Sequence, residues 1–219
     1  NKVVSYWKNK LPISHEWHED YGFRKNRILN RSIHKCTGDY IIFLDGDCIP
    51  HNKFIQDHKK YSEQGFFIQG RRAFIKEKHV PDVLENYRNV SYYIFTFKMT
   101  GVFKALRLPK PIIRINQDQR GLIGCNLSAW KKDLIKVNGF DASYEGWGVG
   151  EDSDVCTRLY NAGLFRKFIY GRAIVYHLNH QMLGKNHHEQ SLKKLEKVKN
   201  QKIVRCQNGL DQCLDKVDI

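Results

Sequence analysis

The run Tyr40-Ile41-Ile42-Phe43-Leu44-Asp45-Gly46-Asp47-Cys48 constrains this chain more than any other stretch. Five apolar or aromatic residues follow one another without a break and end on two carboxylates one residue apart. That continuity predicts a strand buried on both faces, entered through the turn at Gly38-Asp39. Strands of this kind lie in parallel sheets, and ligands bind at their carboxyl ends. Gly46 lets the backbone turn between Asp45 and Asp47. Two carboxylates at such an edge suit a hard divalent cation, which in turn holds the phosphates of a nucleotide. A calcium loop of the EF-hand kind is excluded, because its sixth position requires glycine and Pro50 stands there.

At 219 residues the chain suits one α/β domain with room for a small appendage. No apolar run approaches the ~18 residues needed to cross a bilayer. Asn1 to Lys10 is polar and basic and lacks the apolar centre of a secretory signal. The six cysteines are scattered and form no C-x-x-C pair, which points to a reduced, cytoplasmic chain without disulfides or structural zinc. The net charge of +14, from 37 basic and 23 acidic residues, favours polyanionic partners. Nucleic acid, nucleotide phosphates and an anionic membrane face all qualify.

Taken in order, Ile13 to Trp17 alternates like a short strand. Gly22 opens a helix with Phe23, Ile28, Leu29, Ile33 and Cys36 roughly on one face. Arg24, Arg27 and Arg31 lie near the opposite side, where arginines and a helix start can dock a pyrophosphate. A helix over 52–63 directs Phe54, Ile55, His58 and Tyr61 inward, and Phe66 to Gln69 is the next strand. The aromatic, basic stretch 81–107 reads as a helix over the sheet edge or against a membrane. A strand within 121–130 leads to a short helix capped at Asn138-Gly139. A glycine-rich loop around Trp147 then delivers four acids, Glu145, Glu151, Asp152 and Asp154, at the start of a helix over 151–162. Acids there also complement the helix dipole. Strands over 167–170 and 173–176 end on His177-Leu178-Asn179-His180, and imidazole is a common further ligand for manganese-like ions. A Lys/Glu-rich helix over 188–204 begins the C-terminal tail, 181–219.

Together these motifs resemble glycosyltransferase family 2. The carriers are Gly22-Phe23-Arg24-Lys25-Asn26-Arg27, the strand into Asp45-Gly46-Asp47, Gly124-Cys125-Asn126, Asn138-Gly139-Phe140-Asp141, Gly146 to Asp152 and Tyr176-His177-Leu178, in that order. The C-terminal region also resembles animal β-galactosyltransferases and polypeptide N-acetylgalactosaminyltransferases, and the run from Gly124 to Asp154 is the most specific part of the resemblance. The resemblance covers about residues 13–180. It implies a GT-A fold, Rossmann-like and α/β, with a mixed, mostly parallel sheet flanked by helices. It also implies inverting transfer of a sugar from a UDP-sugar donor to a glycan or lipid-linked acceptor, with Mn²⁺ or Mg²⁺.

Residue by residue, the resemblance makes Asp45, Asp47 and His177 the metal ligands, with Asp47 the closer of the two aspartates and His180 as substitute. It gives Asp152 the role of base beside Glu151. Arg24, Arg27, Asp45 and Gly46 fall on the nucleotide side, and Trp147, Gly148, Glu151 and Asn126 on the sugar and acceptor side. The family's opening βαβ unit has no counterpart in these residues, so a separate segment or chain is expected to supply it, and an apolar sheet edge to remain. The expected setting is cytoplasmic, with peripheral contact to an anionic membrane and no specific nucleic acid. Two other readings stay open: a basic nucleic-acid-binding module, and a phosphotransferase of the haloacid dehalogenase type. The latter normally has Thr or Ser two residues after the second Asp, where Ile49 stands.

Overall fold

The computed structural model describes residues 2–19, 22–86, 90–145, 150–181 and 188–213. Helices α1 (Lys2–Lys8) and α2 (Lys25–Lys35) precede strands β1 (Tyr40–Leu44) and β2 (Cys48–Pro50), which flank the Asp-Gly-Asp turn. Helix α3 (Phe54–Tyr61) leads into β3 (Phe66–Gln69) and β4 (Arg71–Ile75). Three short helices follow, α4 (Val80–Asn86), α5 (Val90–Phe95) and α6 (Val102–Ala105), with β5 (Met99–Thr100) between the last two. Strands β6 (Ile112–Asn116) and β7 (Asn126–Trp130) precede helices α7 (Lys131–Lys136) and α8 (Glu151–Asn161). The described chain closes with β8 (Phe165–Tyr170), β9 (Ile174–Leu178), α9 (His188–Asn200) and a 3₁₀ turn, Leu210–Cys213.

The strands form two mixed sheets with helices against them, ordered β1-β7-β3-β8-β6 and β2-β9-β4-β5. The pairs β3/β8 and β4/β9 are parallel, and the other described pairs are antiparallel. Three short turns carry the chain directly from the first sheet to the second: β1 into β2 across 45–47, β3 into β4 across Gly70, and β8 into β9 across 171–173. Gly70 is required at its crossing, because a Cβ there would stand 2.3 Å from Ala173 O and from Asn126 Oδ1.

Several local expectations change. Residues 12–19 carry no regular secondary structure, so the short strand over 13–17 does not form. Strand β1 pairs only with β7 among the described residues and is a sheet edge. Ile41 and Phe43 are buried, while Leu44 is 40% exposed, so β1 is not enclosed on every side. Ile55 points outward, whereas Phe54 and His58 face the core. The stretch 81–107 is broken into short pieces. Tyr93 is buried there, but Phe95, Phe97 and Phe103 stand exposed. Among the described residues, no helix is long and apolar enough to cross a membrane.

The main core lies between β1, β7, α2, α7 and α8, where Ile33, Phe43, Leu127, Leu134, Phe140 and Leu159 meet. Phe43 and Phe140 make an edge-to-face pair at 5.3 Å. Each such side chain contributes on the order of 1.5–3 kcal/mol by leaving water. Leu210 belongs to the same cluster, so the segment expected as a tail completes the core. Helix α2 is fixed by an amide: Asn30 Nδ2 donates to Phe140 O at 2.7 Å, and Phe140 N–H donates to Asn30 Oδ1 at 2.8 Å. The Asn138-Gly139 cap forms as expected, with φ of 66° at both residues.

Two buried polar groups make stability predictions. Arg158 is fully enclosed, its Nε 2.9 Å from Asp154 Oδ2 and its Nη1 donating to Gly139 O at 2.8 Å. Arg158→Leu leaves the Asp154 charge without its partner, and urea titration is expected to show a loss of about 3–5 kcal/mol. His58 is buried between the Ser128 hydroxyl, 2.7 Å from Nδ1, and Asn126 Oδ1, 3.1 Å from Nε2. Burial lowers its pKa to about 4, from the ordinary 6.5. The unfolded chain therefore binds the extra proton first, and stability present above about pH 6.5 is lost as pH falls toward 4. The urea midpoint should fall more steeply over that window in the parent chain than in His58→Gln.

Candidate active site

The turn from β1 to β2 sends its two carboxylates in different directions. Strand β2 pairs antiparallel with β9, placing Cys48 opposite His177, and Leu178 N–H donates to Asp47 O at 2.8 Å. This register sets Asp47 against the end of a strand far downstream. Its Oδ2 lies 3.1 Å from His177 Nε2 and 3.0 Å from His180 Nε2. The two imidazoles stack at 5.5 Å with their planes 27° apart. One ligand atom from each of Asp47, His177 and His180 lies within 4.8 Å of the others. His180, expected only as a substitute, stands as close to Asp47 as His177 does. Burial pushes the His177 pKa down, with Asp47 opposing, which favours the neutral imidazole that metal binding requires.

Asp45 is not in this group. Its Oδ1 lies 3.2 Å from Lys25 Nζ, at the start of α2. Burial works to lower the Lys25 pKa, but Asp152, Asp45 and Glu151 outweigh it and raise the value above normal. Lys25 is therefore the cation among three carboxylates, a residue that the arginine pattern of α2 concealed. A signal existed: Lys25 opens the helix that runs directly into the acidic strand, so the helix start and the strand's far tip lie at the same end of the pair.

Asp152 lies in the first turn of α8, with Gly124 N–H donating to its Oδ2 at 2.7 Å. Its Oδ1 is buried without a hydrogen-bond partner. Burial raises its pKa, against Lys25 and the Gly124 amide, which pull the other way. Glu151 is buried too, and its pKa rises to about 7 through burial first and the Asp152 charge second. Asp45, Lys25, Gly124 and Asp152 share a cavity of about 220 Å³ whose other walls come from α2 and the edge of β1.

Other expected site residues lie elsewhere. Asn126 is completely buried, so it does not reach a sugar. Its Nδ2 donates to Arg71 O at 2.9 Å and Ala173 O at 2.7 Å, bracing the passage between the two sheets. Gly46 is exposed at the tip of the turn, and an added Cβ would meet nothing within 4 Å. Arg24 and Arg27 line a different cavity, with Arg31, on the neighbouring face of α2. Trp147 and Gly148 lie outside the described residues. Arg72 joins the site unannounced, its Nη1 3.5 Å from Cys125 Sγ and its charge acting on both Asp152 and His177.

Comparison with known proteins matches the chain to two family models. The galactosyltransferase N-terminal domain model covers residues 110–181, and the glycosyl transferase family 2 model covers residues 5–119. The chain is similar to beta-1,4-galactosyltransferase 1 of Homo sapiens, 25% identical over 177 residues, covering 74% of this chain and 34% of that protein. The Bos taurus beta-1,4-galactosyltransferase 1 matches with the same identity and coverage. The chain thus spans about a third of the length of these relatives. Since the second of those models accounts for more than half of its 219 residues, the chain belongs to glycosyl transferase family 2.

Proposed function

We propose that this chain carries the catalytic centre of a metal-dependent hexosyltransferase that moves a sugar from a UDP-sugar to an acceptor hydroxyl with inversion. One observation carries the reading: a one-carboxylate, two-imidazole donor set stands beside a buried carboxylate cluster gathered around Lys25. Family membership and the similarity to galactosyltransferases support it. The Asp47, His177 and His180 atoms fit a divalent cation, and the mixed oxygen and nitrogen set suits Mn²⁺ better than Mg²⁺, which prefers oxygen alone. Bound there, such an ion would neutralise charge developing on the leaving UDP.

The remaining steps belong to side chains of this chain. Asp152 takes the proton from the acceptor hydroxyl at its unpartnered Oδ1. The freed oxygen bonds to the anomeric carbon as the bond to the UDP phosphate breaks, and that electron pair leaves with UDP. A carboxylate whose pKa is raised is the stronger base. One base on the face opposite the leaving group gives inversion. Lys25 balances the charge of Asp45, Asp152 and Glu151, so the cluster stays compact until the proton is taken. Trp147, Gly148 and Glu151 then shape the sugar and acceptor side. We also infer peripheral contact with an anionic membrane on the cytoplasmic side, supported by exposed Phe95, Phe97 and Phe103 near Lys98 and Lys104.

Thermal melting tests the donor site: UDP should raise the melting temperature only when Mn²⁺ is present, and His180→Ala should lose most of that dependence. Asp152→Asn should cut transfer by about 10²–10⁴-fold while leaving the UDP and Mn²⁺ shift in place. Near-parental turnover in that variant would remove Asp152 as the base. Gly124 gives a second handle, because a Cβ there would sit 2.1 Å from Asp152 Oδ1. Gly124→Ala should therefore displace the carboxylate and lower turnover at unchanged affinity for UDP with Mn²⁺, which isothermal titration measures.

A further inference from the structure

Strand β4 brings two side chains of one face to the junction between the two halves of the site. Arg72 and Phe74 are two residues apart, so both stand on the same side of the strand. The parallel register with β9 sets Phe74 against His177, and their rings lie 5.3 Å apart. Arg72 holds its guanidinium carbon 4.7 Å from the centre of the Phe74 ring, and its Nη1 is 3.5 Å from Cys125 Sγ. Cys125 follows Gly124, whose N–H holds Asp152. Through one neighbour on each side, Arg72 therefore reaches both the imidazole of the metal group and the turn that fixes the base. Its charge is felt at both ends, by Asp152 and by His177.

Within the chain that charge has no counterpart. Lys25, the other cation of the site, is surrounded by Asp45, Asp152 and Glu151. Among the described residues Arg72 forms no ion pair. A ring face and a thiol sulfur are weak acceptors and satisfy little of the hydrogen-bonding capacity of a guanidinium. A UDP-sugar must bring its diphosphate to Asp47, His177 and His180, and its anomeric carbon to the hydroxyl that Asp152 activates. The bond that breaks joins those two parts of the donor, so it lies over the stretch between His177 and Asp152 that Arg72 occupies.

Resting on the glycosyltransferase reading, we propose that Arg72 is a catalytic residue that binds the β-phosphate of the donor. When the bond from the anomeric carbon to the β-phosphate oxygen breaks, its electron pair stays on that oxygen, and the Arg72 N–H groups meet the charge that develops there. A guanidinium suits the place better than an ammonium, because its fork takes two phosphate oxygens at once while Phe74 holds it flat. The contact forms with a nucleoside diphosphate and is missing from a monophosphate.

Isothermal titration with UDP and with UMP, each in the presence of Mn²⁺, tests this assignment. The parent chain should bind UDP more tightly than UMP. Arg72→Gln should weaken UDP about 10–100-fold, the worth of a hydrogen bond to a charged group, and leave UMP affinity unchanged. Arg72→Lys should recover part of the loss for UDP. Both variants should keep the parental circular dichroism spectrum and the melting temperature of the unliganded chain. Unchanged UDP affinity in Arg72→Gln would overturn the proposal. So would an equal loss for UDP and UMP, which would mean that the substitution disturbs the metal group or the uridine side instead. Failure of the parent to bind UDP with Mn²⁺ would remove the donor reading together with this assignment, whereas parental UDP binding that ignores Arg72 would remove the assignment alone.

Discussion

The antiparallel pairing of β2 with β9 is the constraint on which the rest of the site depends. It is only three residues long, yet it sets Cys48 against His177 and anchors Leu178 N–H on Asp47 O. A shift of one residue would turn every side chain of β9 to the other face and carry His177 away from Asp47. The pairing is held in turn by β4, which lies parallel to β9 over five residues and covers its other edge. The short, weak contact therefore inherits its register from the longer one beside it.

Electrostatics tie the second half of the site to the first. Asp45, Glu151 and Asp152 gather around one ammonium group, and burial raises the pKa of both Glu151 and Asp152. Carboxylates that crowd together in a protein interior are costly unless a cation shares the space. Lys25 meets that need from the first turn of α2, while Asn30, one turn further on, fixes the helix to the backbone of Phe140. One helix thus sets both the charge and the position of the acidic cluster.

Much of this was legible in the residues. The Asp-Gly-Asp tip, the histidines near 177–180 and the acids opening α8 were each marked by local pattern, and their order along the chain pointed to the family. Three things were hidden, each for a physical reason. The resemblance made Asp47 the closer ligand but kept Asp45 in the same metal group, whereas Asp45 follows the edge strand β1 toward α2 and Asp47 turns into β2. Asn126 looks like a pocket residue, yet its amide is used up where two sheets share a junction. Lys25 was masked by the arginines around it, because helical phase decides which cation faces the acids, and a boundary error of one residue reverses the answer. The edge position of β1 was equally invisible, since an apolar run reads the same whether it has one neighbour or two.

Helix α2 does not finish its packing against neighbours in sequence. It rests on the 3₁₀ turn Leu210–Cys213, and Leu210 N–H donates to Asn138 O while Asp211 N–H donates to Asn138 Oδ1. During synthesis, residues 25–35 emerge long before the segment that seats them. The lysine that organises the acidic cluster must wait, unsupported, until nearly the whole described chain has left the ribosome. Closure over so great a separation is slow, which makes assembly of the reaction centre a late event in folding and leaves the apolar side of α2 open to chaperones in the interval.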